Sequence, residues 1–215
     1  MVGIEDPEAS IKPRTDSTRL PLTDDERLAH GPFSLRDFFP GSARLEIELG
    51  TGKGRFLIES GKRHPERRYL GLERSLAYYR IARDRIARSA LSNVRVLRCD
   101  AREFVAGIPD DFSDAFHAYF LDPWPKKKQR KRRLLTAEFL ALLWSRTRPG
   151  GTLRIITDHE DYAANIRQSL AEAARAGAPW REEEWDAGGL PAPTHYELKY
   201  RAVGRELWKA HLRKA

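Results

Sequence analysis

Apolar and polar positions fall into a regular order only from Arg44 onward. Residues 1–40 are rich in Pro, Asp, Arg and Thr and show little periodicity before Phe33, Leu35, Phe38 and Phe39. That pattern predicts a loose arm ending in a short segment that packs on the domain. RLEIELG then reads as a strand, followed by a Gly-rich turn and a helix from about Arg55 to Lys62. RRYLGLE is a second strand, and Tyr79, Ala82, Ile86 and Ala90 mark one face of a helix. NVRVLRC is a third strand, and AFHAYFL a fourth, apolar enough to be covered on both sides. A helix from about Leu134 to Ser145, a PGG turn at Pro149–Gly151, the strand TLRIIT and a helix from about Glu160 to Ala176 complete the series. Strand–helix alternation of this kind predicts an α/β fold with a doubly wound, mainly parallel sheet and helices on both faces. Residues 41–215 are expected to form one domain.

In such sheets ligands sit beyond the carboxyl ends of the strands. Here those ends are acidic: Glu48 after the first strand, Glu73 after the second, Asp100 after the third, Asp122 after the fourth and Asp158 after the fifth. Taken singly, Asp158 reads equally well as a helix N-cap and Glu73 as a surface residue. Five acidic strand ends in succession point to a site.

Charge sharpens the picture after the fourth strand. The chain carries a net +8, and Lys126, Lys127, Lys128, Arg130, Lys131, Arg132 and Arg133 form a basic block with no acid among them. Removing those seven charges leaves +1, so the basicity is local and suits a polyanion better than general solubility does. The single cysteine, Cys99, excludes a disulfide framework and a Cys-based metal site. His117 lies inside the fourth strand and is expected in or near the core, and His159 and His195 have no metal-ligand partner at useful spacing. No metal is predicted. With no apolar run near membrane-spanning length and no signal-peptide pattern, the chain is expected to be soluble and cytoplasmic.

The first strand runs into ELGTGKG, in which Gly50, Gly52 and Gly54 are spaced G-x-G-x-G. The dinucleotide fingerprint is longer and cradles a pyrophosphate, which an adjacent Glu48 would repel. An ammonium or sulfonium group suits Glu48 better, and S-adenosylmethionine carries both. Glu73 stands where an acid accepts ribose hydroxyls, and Asp100 can accept from an adenine amino group. The alternative is a tight strand-to-helix turn with no ligand.

ELGTGKGRFL, GLER, CDA, FLDPWPKKKQRKRR, TDHEDYA and THYELKYRAVG occur in this order. Together they resemble the motifs of the tRNA (guanine(46)-N7)-methyltransferases, over roughly Arg44 to Trp208. The resemblance implies a Rossmann-like methyltransferase sheet of about seven strands. It further implies methyl transfer from S-adenosylmethionine to a guanine of the tRNA variable loop, giving 7-methylguanosine. It assigns cofactor contacts to Glu48, Glu73 and Asp100, the active-site carboxylate to Asp122, and substrate contacts to Lys126, Asp158 and the Thr194–Glu197 motif. Leu121 and Gln129 depart from it, standing where the family often has Pro and His, as do Pro191 and Ala192 in place of an Arg-Pro pair. A monomer and a homodimer are both compatible with the sequence.

The chemistry suits these residues. Guanine N7 holds an in-plane lone pair, so the reaction needs positioning and no strong base. Asp122 can accept from guanine N1–H and the 2-amino group, which selects guanine over adenine and drives electron density towards N7. Trp124 either stacks on the base or plugs the sheet end. The basic block sits where the flanking phosphates must pass. Thr194 and Glu197 either close the pocket or form a capping box. Two other readings remain: an exocyclic-amine methyltransferase, although the order Asp122-Pro123-Trp124-Pro125 puts the aromatic one place early, and a non-catalytic RNA-binding module.

Overall fold

The computed structural model describes residues 44–185 and 206–215. The predicted arm, the Phe33–Phe39 segment, Thr194 and Glu197 lie outside the described residues. Seven strands form one sheet in the order β3-β2-β1-β4-β5-β7-β6. They are β1 (Leu45–Leu49), β2 (Arg68–Glu73), β3 (Val94–Arg98), β4 (Ser113–Tyr119), β5 (Thr147–Thr157), β6 (Trp180–Glu183) and β7 (Trp208–Lys214). β1 to β5 pair in parallel, and β7 inserts antiparallel between β5 and β6. The order reverses between β1 and β4, which opens a crevice at their carboxyl ends.

Among the described residues five helices cover the sheet: α1 (Arg55–Arg63), α2 (Leu76–Ser89), α3 (Ala101–Gly107), α4 (Ala137–Arg146) and α5 (Glu160–Arg175). Strand alternation divides the core in two. Leu45, Ile47 and Leu49 pack with Phe104, Leu140 and Ile166 on one face. Phe56, Leu57, Ala82 and Ile86 pack with Tyr69 and Val96 on the other. β1 buries polar groups too, and they are paired. Glu46 accepts from Arg67 at 2.8 Å and contacts His117 Nε2 at 2.9 Å, while His117 Nδ1 lies 2.8 Å from the Tyr119 hydroxyl. The ring of Phe56 closes over His117, which is a core residue as its strand position predicts.

Four local expectations differ from the structure. β5 begins at Thr147, so Pro149–Gly151 belongs to the strand and not to a turn before it; the register shift in β4 between Ser113 and Ala115 absorbs it. α4 begins at Ala137, because Thr136 caps it by accepting from the Phe139 N–H. α3 carries too short an apolar pattern to be read as a helix, but Asp100 caps it through the Arg102 N–H at 2.8 Å. The basic block is wound into a 3₁₀ turn over Lys127–Arg132. Among the described residues no helix is long and apolar enough to cross a membrane.

Candidate active site

Two glycines bring the first loop against the strand ends. Gly50 adopts φ +72°, and a Cβ there would meet the Leu121 side chain at 2.8 Å, so only glycine lets the β1 and β4 loops approach. Gly54 caps α1 at φ +73° and would press a Cβ on Ala82 of α2 at 3.2 Å. Between the two loops lies a cavity of about 940 Å³, lined by Glu48, Gly52, Glu73, Asp100, Asp122 and Trp124 among others. Its size suits a nucleoside-sized ligand.

The carboxylates in this cavity are unlike one another. Glu48 is buried, accepts from the Thr51 hydroxyl, and is pushed up to about 8 by burial, with the Glu73 charge adding to the effect. Glu73 is also buried, contrary to a surface role. Its two oxygens each accept one backbone N–H, from Gly52 at 2.8 Å and Ser75 at 2.7 Å. Burial holds its carboxyl above the usual range against those bonds, and the Asp122 charge pushes the same way. Asp100 uses one oxygen to cap α3, and its other oxygen lies 3.7 Å from Arg74. Asp122 is exposed to the cavity beyond the end of β4. Asp158 is half-buried between β5 and α5, and His159, not Asp158, caps α5.

The basic block does not act as one unit. Lys126, Lys127, Lys128 and Lys131 are exposed. Arg130 is paired with Asp161 at 2.9 Å, and the Arg132 guanidinium stands 4.9 Å over the Trp124 ring at the cavity edge. Arg133 is the correction: its side chain is 3% exposed and bonded inside the protein, so it presents no cation to solvent. The reason is its place at the end of the 3₁₀ turn, where the chain dives into the core at Leu135.

Sequence reasoning missed Arg55 and Tyr78, which also line the cavity. The Arg55 Nε is buried and has no partner among the described residues. Its signal was its place directly after Gly54, which the glycine spacing overshadowed.

An acidic crevice at the switch point of a doubly wound sheet, with a glycine loop on one wall, is a ligand site of the α/β class. Solved methyltransferases share the fold. The 16S rRNA methyltransferase KamB superposes with a TM-score of 0.60 at 15% identity, covering 85% of this chain and 94% of that one. An antibiotic-related methyltransferase gives 0.57 at 17% identity, covering 93% and 98%. The family model described as "Putative methyltransferase" matches residues 42–210. Proteins called tRNA (guanine-N(7)-)-methyltransferase are 32% identical in Hyphomonas neptunium, over 88% of this chain and 87% of that protein, and 33% identical in Caulobacter vibrioides, over 88% and 84%. A third, from Geobacillus kaustophilus, is 31% identical over 81% of each chain. The chain belongs to the tRNA (guanine-N(7)-)-methyltransferase family.

Proposed function

We propose that the chain methylates N7 of a guanine in the tRNA variable loop, with S-adenosylmethionine as methyl donor. The observation that carries this is the position of Asp122, exposed in one cavity with Glu48 and Glu73 and next in sequence to the exposed lysines.

The residues present fit the cofactor. The Glu73 charge raises the proton affinity of Glu48, and the Asp122 charge raises that of Glu73, so a cationic ligand relieves the crowding of acids. Glu73 is already oriented by two backbone N–H groups and keeps lone pairs for ribose hydroxyls. The unpartnered Arg55 Nε suits the carboxylate of the amino-acid end. When bound, the cofactor supplies an electrophilic methyl group on a sulfonium.

The protein's part is orientation. Asp122 accepts from the N1–H and 2-amino groups, fixing the base edge and selecting guanine. Its negative charge favours the positive charge that develops on the ring as N7 is alkylated. Trp124, steadied by Arg132, offers a face for stacking the base. Lys126, Lys127, Lys128 and Lys131 hold the flanking phosphates without reading sequence. A tRNA-modifying enzyme of this kind acts in the cytoplasm.

Incubation with unmodified tRNA and methyl-labelled S-adenosylmethionine, followed by nucleoside analysis, tests the proposal. Label in 7-methylguanosine is expected; unlabelled tRNA, with the cofactor shown to bind, would leave an RNA-binding module instead.

A further inference from the structure

The two residues that bracket Asp122 at a short distance have left-handed backbone conformations: Phe120 at φ +52° and Trp124 at φ +44°. Bulky aromatic residues avoid that region, and such strain persists only where the surroundings over-determine it. Phe120 is anchored, since its N–H donates to the Ile156 carbonyl at 2.8 Å. The anchor on the far side of Asp122 is Arg133. Its Nε donates to the carbonyl of Pro123, the residue between Asp122 and Trp124, at 2.8 Å. The other end of the same guanidinium donates to Asp161 Oδ2 in the first turn of α5, and its carbon stands 5.0 Å over the Tyr162 ring. Arg102 donates to the backbone carbonyls of Arg133 and Leu134, fixing the chain that carries this side chain.

We propose that Arg133 is a positioning residue. Its guanidinium, seated on Asp161 and Tyr162, clamps the Pro123 carbonyl and so fixes the direction in which Asp122 faces the cavity. The planar fork is needed because one group must donate in two directions while lying flat on a ring, which an ammonium cannot do. The last arginine of the basic block thus serves the carboxylate and not the phosphates. The proposal rests on the role given to Asp122 above.

Arg133→Lys, Arg133→Met and Asp161→Asn in the full chain test it. The readouts are single-turnover methylation at saturating tRNA and cofactor, cofactor affinity, and tRNA affinity across a salt series. Both Arg133 variants should slow the single turnover by roughly tenfold to a hundredfold, the scale on which small misplacement of a reacting group acts. Asp161→Asn should fall between them and wild type. Cofactor affinity should stay at its wild-type value throughout, and so should the salt slope of tRNA binding in the two Arg133 variants, whereas Asp161→Asn also releases Arg130. Where Arg133→Met does not fold, Arg133→Lys, which keeps charge and length, decides. A wild-type rate in Arg133→Lys would overturn the clamp, and so would a flattened salt slope with an intact saturating rate, the behaviour of a phosphate ligand. Those failures leave the methyltransferase assignment standing, whereas a wild-type chain that never methylates tRNA removes both.

Discussion

Asp122 and Glu48 show how two carboxylates in one cavity do different work. Asp122 is exposed, so it is free to grip a base, and Asp122→Asn keeps its shape while removing its charge and one acceptor. Losing one preorganised electrostatic contact costs about 2.7–4 kcal/mol, so turnover should fall by about 10²–10³ with cofactor and tRNA binding nearly unchanged. Near-normal turnover would make Asp122 a turn residue. Glu48 is buried and pushed up to about 8, against 4.5 for an ordinary glutamate. The folded protein therefore retains a proton that the unfolded chain releases. Glu48's contribution to stability is full below about 4.5 and is lost as the pH rises to about 8. A cationic ligand favours the charged form, so binding expels this proton, and cofactor affinity should climb with pH over the same window, by up to about tenfold per unit. Calorimetric titrations across that window should show the climb in wild type and its loss in Glu48→Gln; a flat wild-type profile would separate Glu48 from the cation. Both acids were legible because strand ends in a parallel sheet are where ligands sit. Arg133 was not: a run of positive charges does not say which member turns inward, and its partner Asp161 lies 28 residues away.

At the scale of elements, local chemistry decided what the sequence revealed. α1, α2 and β1 to β4 have apolar periods or runs long enough to stand out. α3 spans seven residues, too few for a period, and its Asp100 cap read as an adenine contact instead. β6 has four residues, and β7 alternates weakly because Lys214 is buried at its end, donating to the Thr147 carbonyl at 2.6 Å and to Asp111 at 2.8 Å. The start of α4 was misjudged by three residues for a similar reason: Leu134 and Leu135 are apolar because they enter the core, not because they are helical. Thr136 sets that boundary, and Thr136→Ala should cost about 1 kcal/mol, typical for loss of an N-cap. For a chain of this size that is a drop in Tm of about 2–4 °C by thermal denaturation. An unchanged Tm would mean that core packing alone fixes where α4 begins.

Across the whole molecule, the switch between β1 and β4 gathers acids from four strands into one crevice, and the chain leaving β4 lays exposed lysines beside it. A cation and a polyanion can therefore be bound by neighbouring surfaces of opposite sign. Neutralising Lys127, Lys128 and Lys131 should make the slope of log K against log salt for tRNA shallower by roughly 2, with cofactor affinity unchanged. An unaltered slope would reduce the lysines to solvated decoration. The account as a whole claims that Asp122 holds one edge of a guanine while the opposite edge, at N7, takes the methyl group. A tRNA carrying 7-deazaguanine in the variable loop tests this most directly, since the substitution deletes N7 and leaves the edge that Asp122 reads. The account predicts that this tRNA binds as tightly as the natural one, competes with it, and is never methylated at that base. Methylation of the 7-deaza base, on its exocyclic amine or elsewhere, would contradict it.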